Sequence, residues 1–197
     1  MATNNSINIT LPGAATRGLA RTGFWRFDVR AIVGGVLFGI VMTLVLQVTD
    51  RADAALTGGA FLIFGGISWA AIMGISTLLC RQPGGVIAGL MQGVLAIVTG
   101  ASPLAITFPI VNAAGSLAYS LVAWKLSMNS WVHQLAAQIA GNVVGNALVS
   151  VGLFYILKLP VPVILLSSGV TAAVSVVGGT ILTKLVADAA NKSGLLD

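Results

Sequence analysis

Apolar residues run along this chain in long unbroken stretches, and charged residues mark their ends. The stretches free of any acid, lysine or arginine are 31–49, 54–80, 82–124, 126–157 and 159–183. An α-helix rises about 1.5 Å per residue, so about 20 residues cross roughly 30 Å of hydrocarbon. Runs of this length predict membrane-spanning helices. The stretch 82–124 is too long for one helix, and Ser102-Pro103, just after Gly100, reads as a turn between two. The pattern therefore predicts an all-α, polytopic bundle of six spans, at 31–49, 58–80, 85–99, 104–124, 131–157 and 162–184. The first 30 residues are polar and carry four arginines, without the apolar core and small-residue cleavage site of a secretory signal. They are expected to form a basic cytoplasmic tail, 1–30, ahead of a transmembrane domain, 31–197. A short interfacial helix is expected around Phe24, Trp25, Arg26 and Phe27.

Composition sharpens this picture. Of 197 residues 57% are hydrophobic and 8% charged, and the mean hydropathy is +0.99. A soluble domain carries about 25% charged residues, so a soluble globule is excluded, as is a disordered chain. The single cysteine, Cys80, leaves no disulfide framework. The net charge of +5 comes from bases that punctuate the spans and form no patch interleaved with aromatics, which sets nucleic-acid binding aside. With the N-terminus inside and six crossings, Arg17, Arg21, Arg26, Arg30, Arg81, Lys125, Lys184 and Lys192 fall in the cytoplasm. Only Arg51 and Lys158 fall outside. This asymmetry predicts both termini on the cytoplasmic side of the plasma membrane. Asp50 and Asp53 then join Arg51 in an external loop.

No span holds an unambiguous charge, which argues against proton pumps, voltage sensors and carboxylate-driven carriers. Glutamate is absent from the chain. The only histidine, His133, has no ligand partners near it in sequence, so no metal site is expected. No serine or cysteine sits in a nucleophile motif with a matching base. The reading is of a non-enzyme, with no catalytic residue and no cofactor.

The uncharged polar residues say more. Gln134, Gln138, Asn142 and Asn146 recur every four residues of the fifth span, and Asn112, Ser116 and Tyr119 share a face of the fourth. An amide buried in lipid without a partner costs several kcal/mol, so these groups face protein, water or ligand. Counted from the external ends of their spans, Trp69, Gln92, Asn112, Asn146, Ser168 and Thr171 lie at similar depth, roughly 9–16 Å down. They form a candidate site for a small, flat, polar ligand, and the alternative is hydrogen bonding between helices with no ligand. Apolar helices in lipid associate through small residues. Ala31, Gly35 and Gly39 recur at four-residue spacing in the first span, which makes them either internal packing or a docking seam for a membrane partner.

Taken together, these features resemble the substrate-binding S component of an energy-coupling factor (ECF) transporter. More specific is the segment Arg81-Gln82-Pro83-Gly84-Gly85. So is the closing stretch from Lys184-Leu185-Val186 through Lys192-Ser193-Gly194-Leu195-Leu196. Both are similar to the thiamine-related YkoE-like subfamily, where an Arg-x-Pro-Gly turn and a Lys-Thr-Gly-Val-Leu-type tail recur. The resemblance covers about residues 25–197. It implies capture of a vitamin or vitamin precursor from outside, and docking on a membrane T component coupled to two ABC-type ATPases. It also carries the family's docking role onto Ala31, Gly35 and Gly39. Thiamine is a cation, and spans two and three hold no acid, so a neutral precursor such as hydroxymethylpyrimidine is the better expectation. The other expectation is a six-helix structural or assembly subunit with no ligand of its own.

Overall fold

Helix boundaries follow from local capping chemistry. The computed structural model describes residues 24–25 and 27–193, and the arginines Arg17, Arg21 and Arg26 lie outside them. The Asp28 side chain accepts a hydrogen bond from Ala31 N at 2.8 Å and so caps α1, Val29–Thr57. Helix α1 runs well past position 49 and ends only where Gly58 takes a left-handed turn at φ 63. Asp50, Arg51 and Asp53 are therefore helical and not in an external loop. Asp53 is fully buried, and its two carboxylate oxygens accept the N–H groups of Phe64 at 3.0 Å and Gly65 at 2.8 Å. Those donors open α2, Phe64–Val98, where free N–H groups and the helix dipole favour a negative charge.

Helix α2 is interrupted. Arg81 lies at φ 56, ψ −167 and Gln82 at φ −88, ψ 140, neither of them helical. The parts on either side, 64–80 and 83–98, run antiparallel, as their neighbours show. A Cβ at Gly85 would lie 2.6 Å from Thr77 Oγ1, across the break. Near its start α1 meets Cys80 and Gly84, at Gly34 and Gly35, and farther along Gly39 meets Ala88 and Met91. At its far end it meets Gly65 through Asp53. One part thus descends along α1 and the other climbs back.

After Gly100, at φ 61, a 3-10 turn, Ala105–Thr107, leads into α3, Phe108–Lys125. Pro109 sits in the first turn of α3, where its missing N–H costs no helical bond, and it packs against Gly93. Helices α4, Trp131–Tyr155, and α5, Val161–Lys192, complete the bundle. Ser130 caps α4 by accepting His133 N at 3.2 Å. Among the described residues five helices are long and apolar enough to cross a membrane. Among the described residues there is no strand. Trp25 instead makes an isolated bridge to Gln82 and Phe24 lies in a bend, where an interfacial helix was expected. The reason is local: the break in α2 leaves Gln82 N without a helical acceptor, and Phe24 O takes it at 3.2 Å.

Small residues set the helix spacing. The seam Ala31, Gly35, Gly39 faces inward, with Ala31 buried and the glycines against Gly84, Ile87, Ala88 and Met91. The surface read as a possible docking seam is thus covered by the second part of α2. A Cβ at Gly39 would lie 2.5 Å from Met91 Cβ and 2.8 Å from Ala88 O, whereas one at Gly169 would meet nothing within 4 Å. Overpacking costs about 1–3 kcal/mol. Gly39→Leu should lower the melting midpoint in nanodiscs clearly, and Gly169→Leu should leave it near wild type. Equal midpoints for the two variants would contradict the close α1–α2 approach.

Candidate functional site

The helix crossings bring three of the six candidate residues into one hydrogen-bonded chain. Trp69 stands on the first part of α2, where Gly115 of α3 and Gly145 of α4 leave room for its ring; a Cβ at either glycine would lie about 3 Å from it. Its indole Nε1 donates to Asn112 Oδ1 at 2.7 Å. Asn112 Nδ2 donates in turn to Gln92 Oε1, on the second part of α2. Gln92 and Asn112 are buried. Close approach of the backbones at Gly89 and Asn112 makes this meeting possible. Around Trp69, Met73, Asn112 and Ser116 the packing leaves no volume that a water molecule could occupy.

The other three candidates stand apart from that chain. Asn146 is half-buried and donates along its own helix, Nδ2 to Asn142 O at 3.0 Å. Ser168 bridges to Ser150 of α4, Oγ to Oγ 2.9 Å. Thr171 Oγ1 accepts Leu62 N at 3.3 Å, just ahead of α2. Asn146 and the Ser150–Ser168 bridge lie on the α4–α5 side, whereas Thr171 faces the start of α2, at Leu62 and Gly66.

A second polar cluster surrounds the break in α2. Gln82 Nε2 donates to Ser120 Oγ at 2.5 Å and to Ser116 Oγ at 3.3 Å, and its Oε1 accepts Val86 N at 3.2 Å. Thr77 shares a bond with Ser116 at 3.2 Å. A cavity of about 30 Å³ lies here, lined by Phe24, Thr77, Arg81, Gln82, Ser120 and Trp124 among others, large enough for a single water molecule. The sequence put Gln82 between the second and third spans, in the Arg81–Gly85 turn, and did not mark it as a candidate. The available signal was an amide directly before Pro83-Gly84, where a helix must break and its freed backbone groups need a partner.

The polar line of α4 forms a third system. Tyr119 OH donates to Gln134 Oε1 at 2.8 Å, and Gln134 Nε2 donates to Met128 O at 2.8 Å. Gln138 Nε2 donates to Ala70 O at 2.9 Å and Thr183 Oγ1 at 3.1 Å, joining α4 to α2 and α5. Asn142 follows one turn on. The four-residue spacing was visible in the sequence, but it placed Asn146 in the site and left out Gln138 and Asn142, which are the more deeply buried.

Charged groups stay at the ends. Lys125 Nζ lies 3.8 Å over the Trp124 ring, and Lys184, paired with Asp188, lies 5.7 Å from that of Trp131. His133 Nδ1 shares a bond with Ser127 Oγ at 3.1 Å. Among the described residues no three His, Cys, Asp or Glu side chains gather in one place. Among the described residues the interior offers neutral hydrogen-bond donors and acceptors and an indole face, and its buried charges are the capping Asp53 and Lys184, which Asp188 pairs near the end of α5.

An unpaired buried partner costs about 1–3 kcal/mol. Asn112→Leu leaves both Trp69 Nε1 and Gln92 Oε1 without a partner, so its melting midpoint should fall well below wild type. The double variant Trp69→Phe/Asn112→Leu should recover part of that loss, because one orphan is removed. Additive losses across wild type, Asn112→Leu, Trp69→Phe and the double variant in thermal melts would show that the two side chains are not bonded.

Comparison with protein-family models, with curated proteins and with solved structures finds no match to this chain.

Proposed function

We propose that the chain is the membrane-embedded substrate-capture subunit of an ECF-type importer for a small, neutral vitamin or vitamin precursor. The observation that carries this reading is the Trp69–Asn112–Gln92 chain. An indole and two amides from three helical segments meet inside an apolar bundle, with no charged group among them. Such groups suit a flat, uncharged ligand that hydrogen-bonds and stacks. A cation would be poorly served. Asp53, the buried acid, already holds two backbone N–H groups.

In this reading the chain crosses the plasma membrane six times, because α2 doubles back at Arg81 and Gln82 and supplies two crossings. Both termini are cytoplasmic. Arg30, Arg81, Lys125 and Lys184 cluster at the bundle end where Phe24 meets Trp124 and Lys184 faces Trp131, which agrees with a positive cytoplasmic face. The chain hydrolyses no ATP itself and works with a T component and two ATPases. Docking falls to outward faces, since the Ala31, Gly35, Gly39 seam is filled from within.

The other reading, a structural or assembly subunit with no ligand, is favoured by the packing. No water-sized space lies beside Trp69 and Asn112, and each finds its partner within the chain.

Two measurements separate these readings. A ligand at 100 times its Kd stabilises a protein by about 2.7 kcal/mol. Hydroxymethylpyrimidine should therefore raise the melting midpoint of the nanodisc-reconstituted protein, and thiamine should do so less. No shift with either compound would favour the structural subunit, and a larger shift with thiamine would overturn the neutral site. For topology, Ser193→Cys should react with a membrane-impermeant reagent only from the cytoplasmic side, and Ala60→Cys only from outside. Labelling of both from one side would contradict the proposed number of crossings.

A further inference from the structure

Among the described residues, one buried side-chain polar atom has no hydrogen-bond partner: Asn142 Oδ1, on α4. Asn142 is 0% exposed. Its amide orientation is set by its neighbours, because Nδ2 donates to Gln138 O at 2.9 Å and to Gln138 Oε1 at 3.2 Å. Turning the amide over would aim an oxygen at two acceptors. Gln138 has no donor to spare, since its Nε2 is engaged by Ala70 O and Thr183 Oγ1. The orphan is therefore an acceptor that the surrounding side chains leave open, in an interior where other buried amides are bonded.

The positions beyond it lead outward. Asn146, one turn on, is half-buried, as are Ser150 and Ser168, which bridge α4 to α5 at 2.9 Å. The Trp69 ring lies against Gly145, between Asn142 and Asn146 in sequence. A line of neutral polar groups thus runs along the α4–α5 side from partly exposed positions to a fully buried acceptor.

We propose that Asn142 Oδ1 is the buried anchor of a site between α4 and α5, and that it takes an uncharged ligand through an N–H donor of that ligand. A bare carbonyl oxygen can only accept, so the ligand must donate. No acid lies among these groups to balance a charge, and an unbalanced buried charge is too costly, so the ligand is neutral. This deepens the capture reading above and rests on it, and it moves the anchoring bond from Asn112 to Asn142.

The test compares two probes on two proteins. The probes are hydroxymethylpyrimidine with its 4-amino group intact and the analogue with that group dimethylated, which has lost both N–H donors. Binding is measured by calorimetry on nanodisc-reconstituted wild type and Asn142→Leu. Wild type should bind the dimethylated analogue about tenfold or more weakly than the parent. Asn142→Leu should bind the parent tenfold or more weakly than wild type does and should no longer distinguish the two probes. Equal affinity of wild type for both probes overturns the proposal even if the variant does not fold. So does a variant that distinguishes them as well as wild type, because the preference would then be steric. In either case parent binding to wild type leaves the capture reading standing. Failure of wild type to bind either probe removes both.

Discussion

A break in a buried helix leaves backbone groups without their helical partners, and the way this chain satisfies them at Gln82 organises the rest of the bundle. The Gln82 N–H is taken by Phe24 O, which ties the segment before α1 to the break. Its side-chain oxygen accepts Val86 N and so caps the second part of α2. Its side-chain nitrogen reaches Ser116 and Ser120 on α3. One amide thus closes a helix end, anchors the entry of the chain and joins a neighbouring helix. Because α2 reverses here, Gly85, Gly89 and Gly93 all turn toward α3, where they meet Ser116, Asn112 and Pro109 in antiparallel order.

The rest of the bundle is joined on the same terms. Apolar side chains gain little by leaving lipid for one another, so helix pairs depend on close backbone approach and on hydrogen bonds across the interface. Glycines supply the approach: Gly35 and Gly39 between α1 and α2, Gly115 and Gly145 around the Trp69 ring, Gly74 and Gly179 around Gln138. Amides and hydroxyls supply the bonds. Trp69, Asn112 and Gln92 tie both parts of α2 to α3, and Gln138 ties α4 to α2 and α5. The same neutral interior that holds the helices together is what an uncharged ligand would have to enter.

Much of the helix layout was legible in the sequence, because charges at span ends and the Gly100, Ser102-Pro103 turn are local signals. The runs 58–80 and 85–99 were separable because the charge of Arg81 falls between them, where the helix breaks. The Asp50, Arg51, Asp53 cluster misled. Charge suggested a loop, but Asp53 is drawn inward by the N–H groups of Phe64 and Gly65, which lie 11 and 12 residues away. Small-residue spacing revealed that Ala31, Gly35 and Gly39 form a seam but not what fills it, since the occupant, the second part of α2, comes some fifty residues later. For the polar residues, depth was readable and rotation was not. Gln92 and Asn112 face each other across α2 and α3, whereas Ser168 and Thr171 turn to other partners.

The reversal of α2 is open to a direct distance measurement. Spin labels at Leu62→Cys and Val98→Cys, in a Cys80→Ser background, flank the two parts of the helix. Pulsed electron resonance on the reconstituted protein should give a separation under about 25 Å, as antiparallel parts require. A continuous helix rising about 1.5 Å per residue would place the labels roughly 50 Å apart. A distribution centred there would contradict the hairpin and, with it, the placement of Trp69 beside Asn112 and Gln92.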